Sequence, residues 1–186
     1  MSRFDCLNTP LIGLKIIQRK PIQDSRGFLS RFYCSEAFST IGINKPIVQI
    51  NHTHTRQKGA VRGLHFQHPP FAETKVVSCI KGEIFDIAVD IRQGSPTFLK
   101  WHAEILNAQN QRSLMIPEGF AHGFQTLTDD CELIYLHTAA YHQPSEGALN
   151  IHDSLLGIQL PLEITDLSER DRMHAMITND FLGLAV

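Results

Sequence analysis

Cysteine is sparse in this chain, and what there is forms no motif. Cys6, Cys34, Cys79 and Cys131 are far apart and make no Cys-x-x-Cys pair. That argues against a redox dithiol or a disulfide framework and for small buried thiols in a reducing compartment. An excess of one charge is also lacking, since 17 basic residues face 19 acidic ones for a net of −2. Nucleic acid and anionic membranes ask for a basic face, so neither is an expected partner. No apolar run approaches membrane-spanning length, and the start, Met-Ser-Arg-Phe-Asp, lacks the apolar centre of a signal peptide. A cytoplasmic protein is expected. Repeats, low-complexity tracts and linkers are missing too, so the 186 residues read as one domain able to bury its own core.

What the chain does have is a succession of short β-prone runs. Strands are expected at 11–17, 28–33, 46–51 and 59–70, then at 73–80, 83–91, 98–106, 112–116, 121–127 and 132–139. A turn at Asp24-Ser25-Arg26-Gly27 precedes the second strand, and a short helix follows it from Ser35-Glu36 to Gly42. Residues 52–58 read as a polar loop, and Lys81-Gly82 as the two-residue turn of an antiparallel hairpin. In the second arm of that hairpin Phe85, Ile87, Val89 and Ile91 share one face, while Ile84, Asp86, Ala88 and Asp90 share the other. An acid-bearing face inside a β protein suggests a polar cavity. After Pro144 the strand signal fades into a polar tail, with a helical turn or a capped loop at Ser168-Glu169-Arg170-Asp171. The class is all-β, a sandwich or closed barrel with a few short peripheral helices.

The stretch Gly-Ala-Val-Arg-Gly-Leu-His-Phe-Gln-His-Pro-Pro at 59–70 carries the most chemistry, with Arg62 and His65 close together. Arginine grips phosphate or carboxylate, and histidine moves protons near neutral pH. Ten histidines also raise a metal reading, in which His52, His54, His65 and His122 converge as in a metal-dependent cupin. Against it, Thr55, Arg56, Gln57 and Lys58 follow the His-x-His pair, so no carboxylate ligand is near and two cations are. His52 and His54 read better as polar loop residues. His65 with Lys75, Tyr135 and a supporting Asp171, Asp86 or His122 makes a different set: a base, an oxyanion partner and a proton donor. Such a set suits proton abstraction beside a carbonyl.

Four segments carry a family resemblance. They are Arg-Gly-Leu-His-Phe-Gln at 62–67 with Lys75, Gly-Glu-Ile-Phe-Asp-Ile-Ala-Val-Asp-Ile-Arg at 82–92, Ile-Pro-Glu-Gly-Phe-Ala-His-Gly-Phe at 116–124, and Leu-Ser-Glu-Arg-Asp at 167–171. Together they resemble the dTDP-4-dehydrorhamnose 3,5-epimerase family. The resemblance implies a cupin-type jelly-roll barrel, a homodimer exchanging N-terminal strands from 10–33, and no metal or cofactor. It implies inversion of C3 and C5 in a nucleotide-linked 4-keto-6-deoxyhexose. In that reading His65 is the base, Asp171 orients it, Tyr135 is the acid on the other ring face, and Lys75 lies near the C4 oxygen. His122 with Asp86 behind it matches a sugar-binding pair. Arg26, Gln49, Asn51, Arg62, Glu146 and Arg170 match substrate-binding positions, and Arg31 stands where the family usually has a glutamate contacting substrate.

Ser30 replaces a common aromatic residue, and Ile151 and Leu160 replace tryptophans. A guanidinium only donates hydrogen bonds where a carboxylate accepts them, so Arg31 bears on which ligand is recognised. Three other readings therefore stand beside the first. They are the same chemistry at C3 only or on a UDP-, CDP- or GDP-sugar, a metal-dependent cupin enzyme, and a sugar-binding jelly roll without catalysis.

Overall fold

The computed structural model describes residues 3–186; Met1 and Ser2, part of the stretch read for a signal peptide, lie outside them. In chain order the strands are β1 Phe4–Asn8, β2 Lys15–Arg19, β3 Ile22–Asp24, β4 Gly27–Leu29, β5 Gln49–Thr55, β6 Ala60–Gln67 and β7 Lys75–Lys81. They continue as β8 Glu83–Asp90, β9 Trp101–Asn107, β10 Arg112–Ile116, β11 Phe120–Thr126, β12 Cys131–His137, β13 Glu146–Ala148 and β14 Asp166–Leu167. Helix α1, Ser35–Thr40, precedes β5, and α2, Glu169–Arg172, follows β14. One sheet runs β1-β2-β10-β7-β12-β5, and the other β13-β6-β11-β8-β9 with β14 added to β6. The two face each other as the expected all-β jelly roll. No helix among the described residues is long and apolar enough to cross a membrane.

Period-two alternation sorts the side chains into three layers. Between the sheets lie Val77, Cys79, Leu114 and Leu133 from one side and Ile84, Ala88, Phe120 and Phe124 from the other. Behind the first sheet, Ile17, Val76, Met115 and Leu136 are covered by Phe4, Phe38 and Ile43. Behind the second, Ile87, Val89 and Ile91 meet Leu149, Ile151, Leu156, Leu167 and Leu184. The C-terminal stretch is therefore a cover and not a polar tail. Each such side chain, fully buried, is worth about 1.5–3 kcal/mol. Five of them rival the whole stability of a typical domain.

The hairpin expected at Lys81-Gly82 is not one. Strand β7 pairs with β10 and β12, whereas β8 pairs with β11 and β9. The chain crosses from one sheet to the other at Gly82, whose φ of 77° favours glycine. A turn signal fixes a local reversal, but the partner is chosen by which faces bury together. Further corrections concern strand limits. Residues 52–55 extend β5 against β12 and are not loop. Residues 11–14 and 98–100 are turns preceding β2 and β9, and β4 stops at Leu29.

Candidate active site

A β-bulge builds the floor of the site. Opposite β11, His122 faces His65 and Phe124 faces Arg62, so three steps on β6 match two on β11. Strict alternation would put Arg62 and His65 on opposite faces; the extra residue brings both to one cavity. Gly63, with φ 126°, occupies the bulge, and a Cβ there would lie 2.5 Å from Gly123 Cα. The cavity has a volume of about 530 Å³, and its lining includes Arg62, His65, Lys75, His122, Tyr135 and Asp171.

His65 Nε2 lies 2.8 Å from Asp171 Oδ1, although the residues are 106 positions apart. A carboxylate only accepts, so Nε2 donates and the ring's lone pair is left on Nδ1. Asp171 Oδ2 accepts the Gly63 amide at 3.2 Å. Ser168 caps α2 by accepting the Asp171 amide at 3.0 Å, which fixes the carboxylate from behind. Burial alone would raise the Asp171 pKa. The His65 hydrogen bond and charge, the Gly63 amide and Arg170 outweigh it and hold the group well below the usual carboxylate range.

A second pair, His122 Nε2 and Asp86 Oδ1 at 2.8 Å, is buried beneath the cavity. Burial pushes the Asp86 carboxyl up, against the pull of His122 and Lys75. Ile84 and Ala88 of the same face pack in the core between the sheets, and no β8 residue is among those lining the cavity. The polar cavity face expected of β8 therefore does not form; Asp86 backs His122 from beneath. Asp90 accepts from Arg92, Ser95 and Thr97 and organises the turn after β8. Tyr135 packs edge-on to His122 with ring centroids 5.9 Å apart. Burial first, and the Asp86 charge second, push its phenol up, so it holds its proton at neutral pH.

Most of the residues singled out from the sequence converge. Asn51 and Arg170 also line the cavity. Glu146 binds Arg170 at 3.2 Å, and Gln49 donates to Asn51 Oδ1 at 3.2 Å on the rim. Two do not converge. Arg26 sits on the β3–β4 hairpin and pairs only with Asp24, and Arg31 is exposed just beyond β4. The turn at 24–27 forms as expected, but its residues are not among those lining this chain's cavity.

The four-histidine metal set is not assembled either. His52 and His54 face outward on β5, paired with Glu132 at 3.0 Å and Asp130 at 2.9 Å. Among the described residues, His65, Asp171 and His174 do bring possible ligand atoms within 4.8 Å of one another. The Arg170 guanidinium lies 3.2 Å from His65 Nε2 and 3.5 Å from Asp171, a fixed cation that opposes a divalent ion there.

Sequence reasoning missed Glu73 and His137, which join Lys75 in one buried cluster. Two signals were available: Glu73 lies two before Lys75, and His137 two after Tyr135 on the same strand face. The four cysteines are free, with Cys79 and Cys131 buried and Cys6 and Cys34 partly so. Burial pushes the Cys79 thiol up to about 12, which leaves it an inert packing group.

A family model described as dTDP-4-dehydrorhamnose 3,5-epimerase matches residues 8–179. The chain belongs to the dTDP-4-dehydrorhamnose 3,5-epimerase family. A relative of that name from Salmonella typhimurium is 42% identical over 178 residues, covering 95% of this chain and 97% of its own. One from Methanothermobacter thermautotrophicus is 38% identical over 175 residues, covering 92% and 94%. Among solved structures, the Legionella pneumophila dTDP-6-deoxy-D-glucose-3,5-epimerase in complex with dTDP-4-keto-L-rhamnose superposes with a TM-score of 0.91. It is 38% identical and covers 98% of this chain and 99% of its own. ChmJ, a 3'-monoepimerase from Streptomyces bikiniensis in complex with dTDP-quinovose, gives a TM-score of 0.83 at 30% identity, over 91% and 86% of the two chains. The scaffold of this epimerase family thus includes an enzyme named for inverting one centre.

Proposed function

We propose that this protein epimerises C3 and C5 of dTDP-4-dehydro-6-deoxy-D-glucose to give dTDP-4-dehydro-L-rhamnose. The observation that carries the reading is the His65–Asp171 pair on the β6 wall of the cavity that Tyr135 enters from β12. In this mechanism His65 removes the proton on the carbon next to the C4 carbonyl, and the bond's electrons move onto the C4 oxygen as an enolate. The Lys75 ammonium stabilises that oxygen. Asp171 steadies the resulting imidazolium. Tyr135 then gives its phenolic proton to the same carbon from the opposite face, which inverts the centre. The reaction moves protons only, so it calls for no redox cofactor.

Arg62 and Arg170 are suited to the diphosphate, and His122, backed by Asp86, to the sugar hydroxyls. Arg26 and Arg31 fit this reading as contacts made to the cavity of a second copy in a homodimer. Four free thiols suit a reducing compartment, which supports a cytoplasmic location.

Proton NMR in deuterium oxide tests the proposal. Deuterium should enter both C3 and C5 of the substrate; none at either position would sink it. The likeness to a 3'-monoepimerase favours one second reading, inversion at C3 alone. Deuterium confined to C3 would select it. Calorimetry with dTDP, UDP, CDP and GDP should show the tightest binding for dTDP.

A further inference from the structure

On the wall facing His65, a single buried carboxylate holds several groups at once. Glu73 is 7% exposed and divides its two oxygens, Oε1 lying 3.2 Å from Lys75 Nζ and Oε2 2.7 Å from His137 Nδ1. With a neutral imidazole the hydrogen-bond directions follow from the contacts. The carboxylate accepts, so His137 Nδ1 carries hydrogen and Nε2 is an acceptor. Asn51 Nδ2 approaches that Nε2 at 3.4 Å, which leaves Asn51 Oδ1 to accept from Gln49 Nε2 at 3.2 Å. The His137 ring also stacks on Tyr135, with centroids 6.0 Å apart and planes 20° apart. Strand register puts the parts side by side, with His137 opposite both Lys75 and Gln49, and Tyr135 opposite Asn51.

Lysine is a point charge on a flexible four-carbon stem, so something else must fix where it points. Glu73 is the one carboxylate within ion-pair distance of Lys75 among the described residues. Burial favours the neutral acid. The His137 hydrogen bond and the Lys75 charge outweigh it and keep the Glu73 carboxyl below its usual range, so it stays ionised.

We propose that Glu73 is a positioning residue that, itself anchored by His137, sets the Lys75 ammonium at the C4 oxygen. The proposal rests on the role given to Lys75 above. A neutral Glu73→Gln keeps the shape and removes the charge that holds Lys75.

Five proteins test it: wild type, Glu73→Gln, Lys75→Met, the double variant and Glu73→Asp, each checked for native melting. Glu73→Gln should lower kcat by about tenfold or more with little change in KM, as expected for coupled neighbours. In the Lys75→Met background the same change should cost less than about twofold. Glu73→Asp, which keeps the charge, should recover part of the loss. An equal loss of kcat in both backgrounds overturns the proposal, because Glu73 would then only hold the wall together. Nitrogen-15 NMR of the lysine ammonium groups gives a readout independent of turnover. An ordered Lys75 gives a resolved signal that Glu73→Gln should erase or shift, and an unchanged signal overturns the proposal. If wild type fails to turn over the dTDP-sugar, the assigned reaction falls while the NMR comparison still decides the contact.

Discussion

At the scale of single residues, the site separates its titrating groups by environment. Asp171 is held ionised by donors, while Tyr135 is held protonated by burial and a neighbouring anion. That division suits the proposed mechanism, in which one wall removes a proton and the other delivers one. The two walls should fail differently. His65→Ala should abolish exchange of the C3 and C5 hydrogens with deuterium oxide, a loss of at least about a hundredfold. Tyr135→Phe should still exchange, because the base remains, but yield little inverted product. Measuring exchange and product configuration in parallel checks this, and equal loss of both in Tyr135→Phe would refute the split. Asp90 makes a separate prediction about stability. Its carboxyl is lowered to about 2 by Arg92, Ser95 and Thr97 despite its burial. A depressed folded value stabilises the fold above the unfolded value of about 3.9, and the gain fades as pH falls toward 2. Asp90→Asn should therefore lose about 2–3 kcal/mol at pH 6 and much less near pH 2.5, as read by urea unfolding.

At the scale of elements, α2 has only four residues, Glu169–Arg172, yet it carries Asp171, the carboxylate partner of His65, the proposed base. A helix that short has little cohesion of its own, so its cap matters more than usual. Ser168→Ala removes the bond to the Asp171 amide and should cost about 1 kcal/mol. It should also lower kcat, because Asp171 loses its fixed approach to His65; Ser168→Asp should restore both. Melting curves and turnover on the three proteins check it. This element also shows what a sequence reveals. The Ser-Glu-Arg-Asp turn was legible from its residues, whereas the polar face expected of β8 is core at Ile84 and Ala88, with Asp86 buried behind His122. The pairing of Asp171 with His65 was not legible from spacing, because it spans 106 positions and depends on β14 joining β6. It came only through resemblance. The Lys81-Gly82 crossing misled for a related reason. A turn's residues encode its geometry, and only the burial of Ile84 against Leu133 and Ile87 against the C-terminal cover decides which sheet the next strand joins.

At the scale of the whole molecule, two apolar surfaces are left open. The β3–β4 hairpin exposes Phe28 at 62% and Leu29 at 71%, with Ile22 also exposed. Strand β5, which ends its sheet, exposes Val48 beside it and Ile50. Exposed apolar side chains on a projecting hairpin and at an open sheet edge are costly unless another chain covers them. The same hairpin carries Arg26, and Arg31 follows it, the two substrate-binding candidates that do not reach their own cavity. The proposed homodimer, with the hairpin crossing to the partner, would account for both facts at once, by covering the apolar side chains and bringing cations to a diphosphate. Replacing Phe28 and Leu29 together by aspartate should convert the protein to monomers in light scattering and reduce turnover in parallel. Arg26→Ala should leave the mass unchanged and raise KM, because it removes only the charge. A double variant that stays dimeric would show that the hairpin is not the interface. Monomers with wild-type turnover would show that each cavity is complete in one chain.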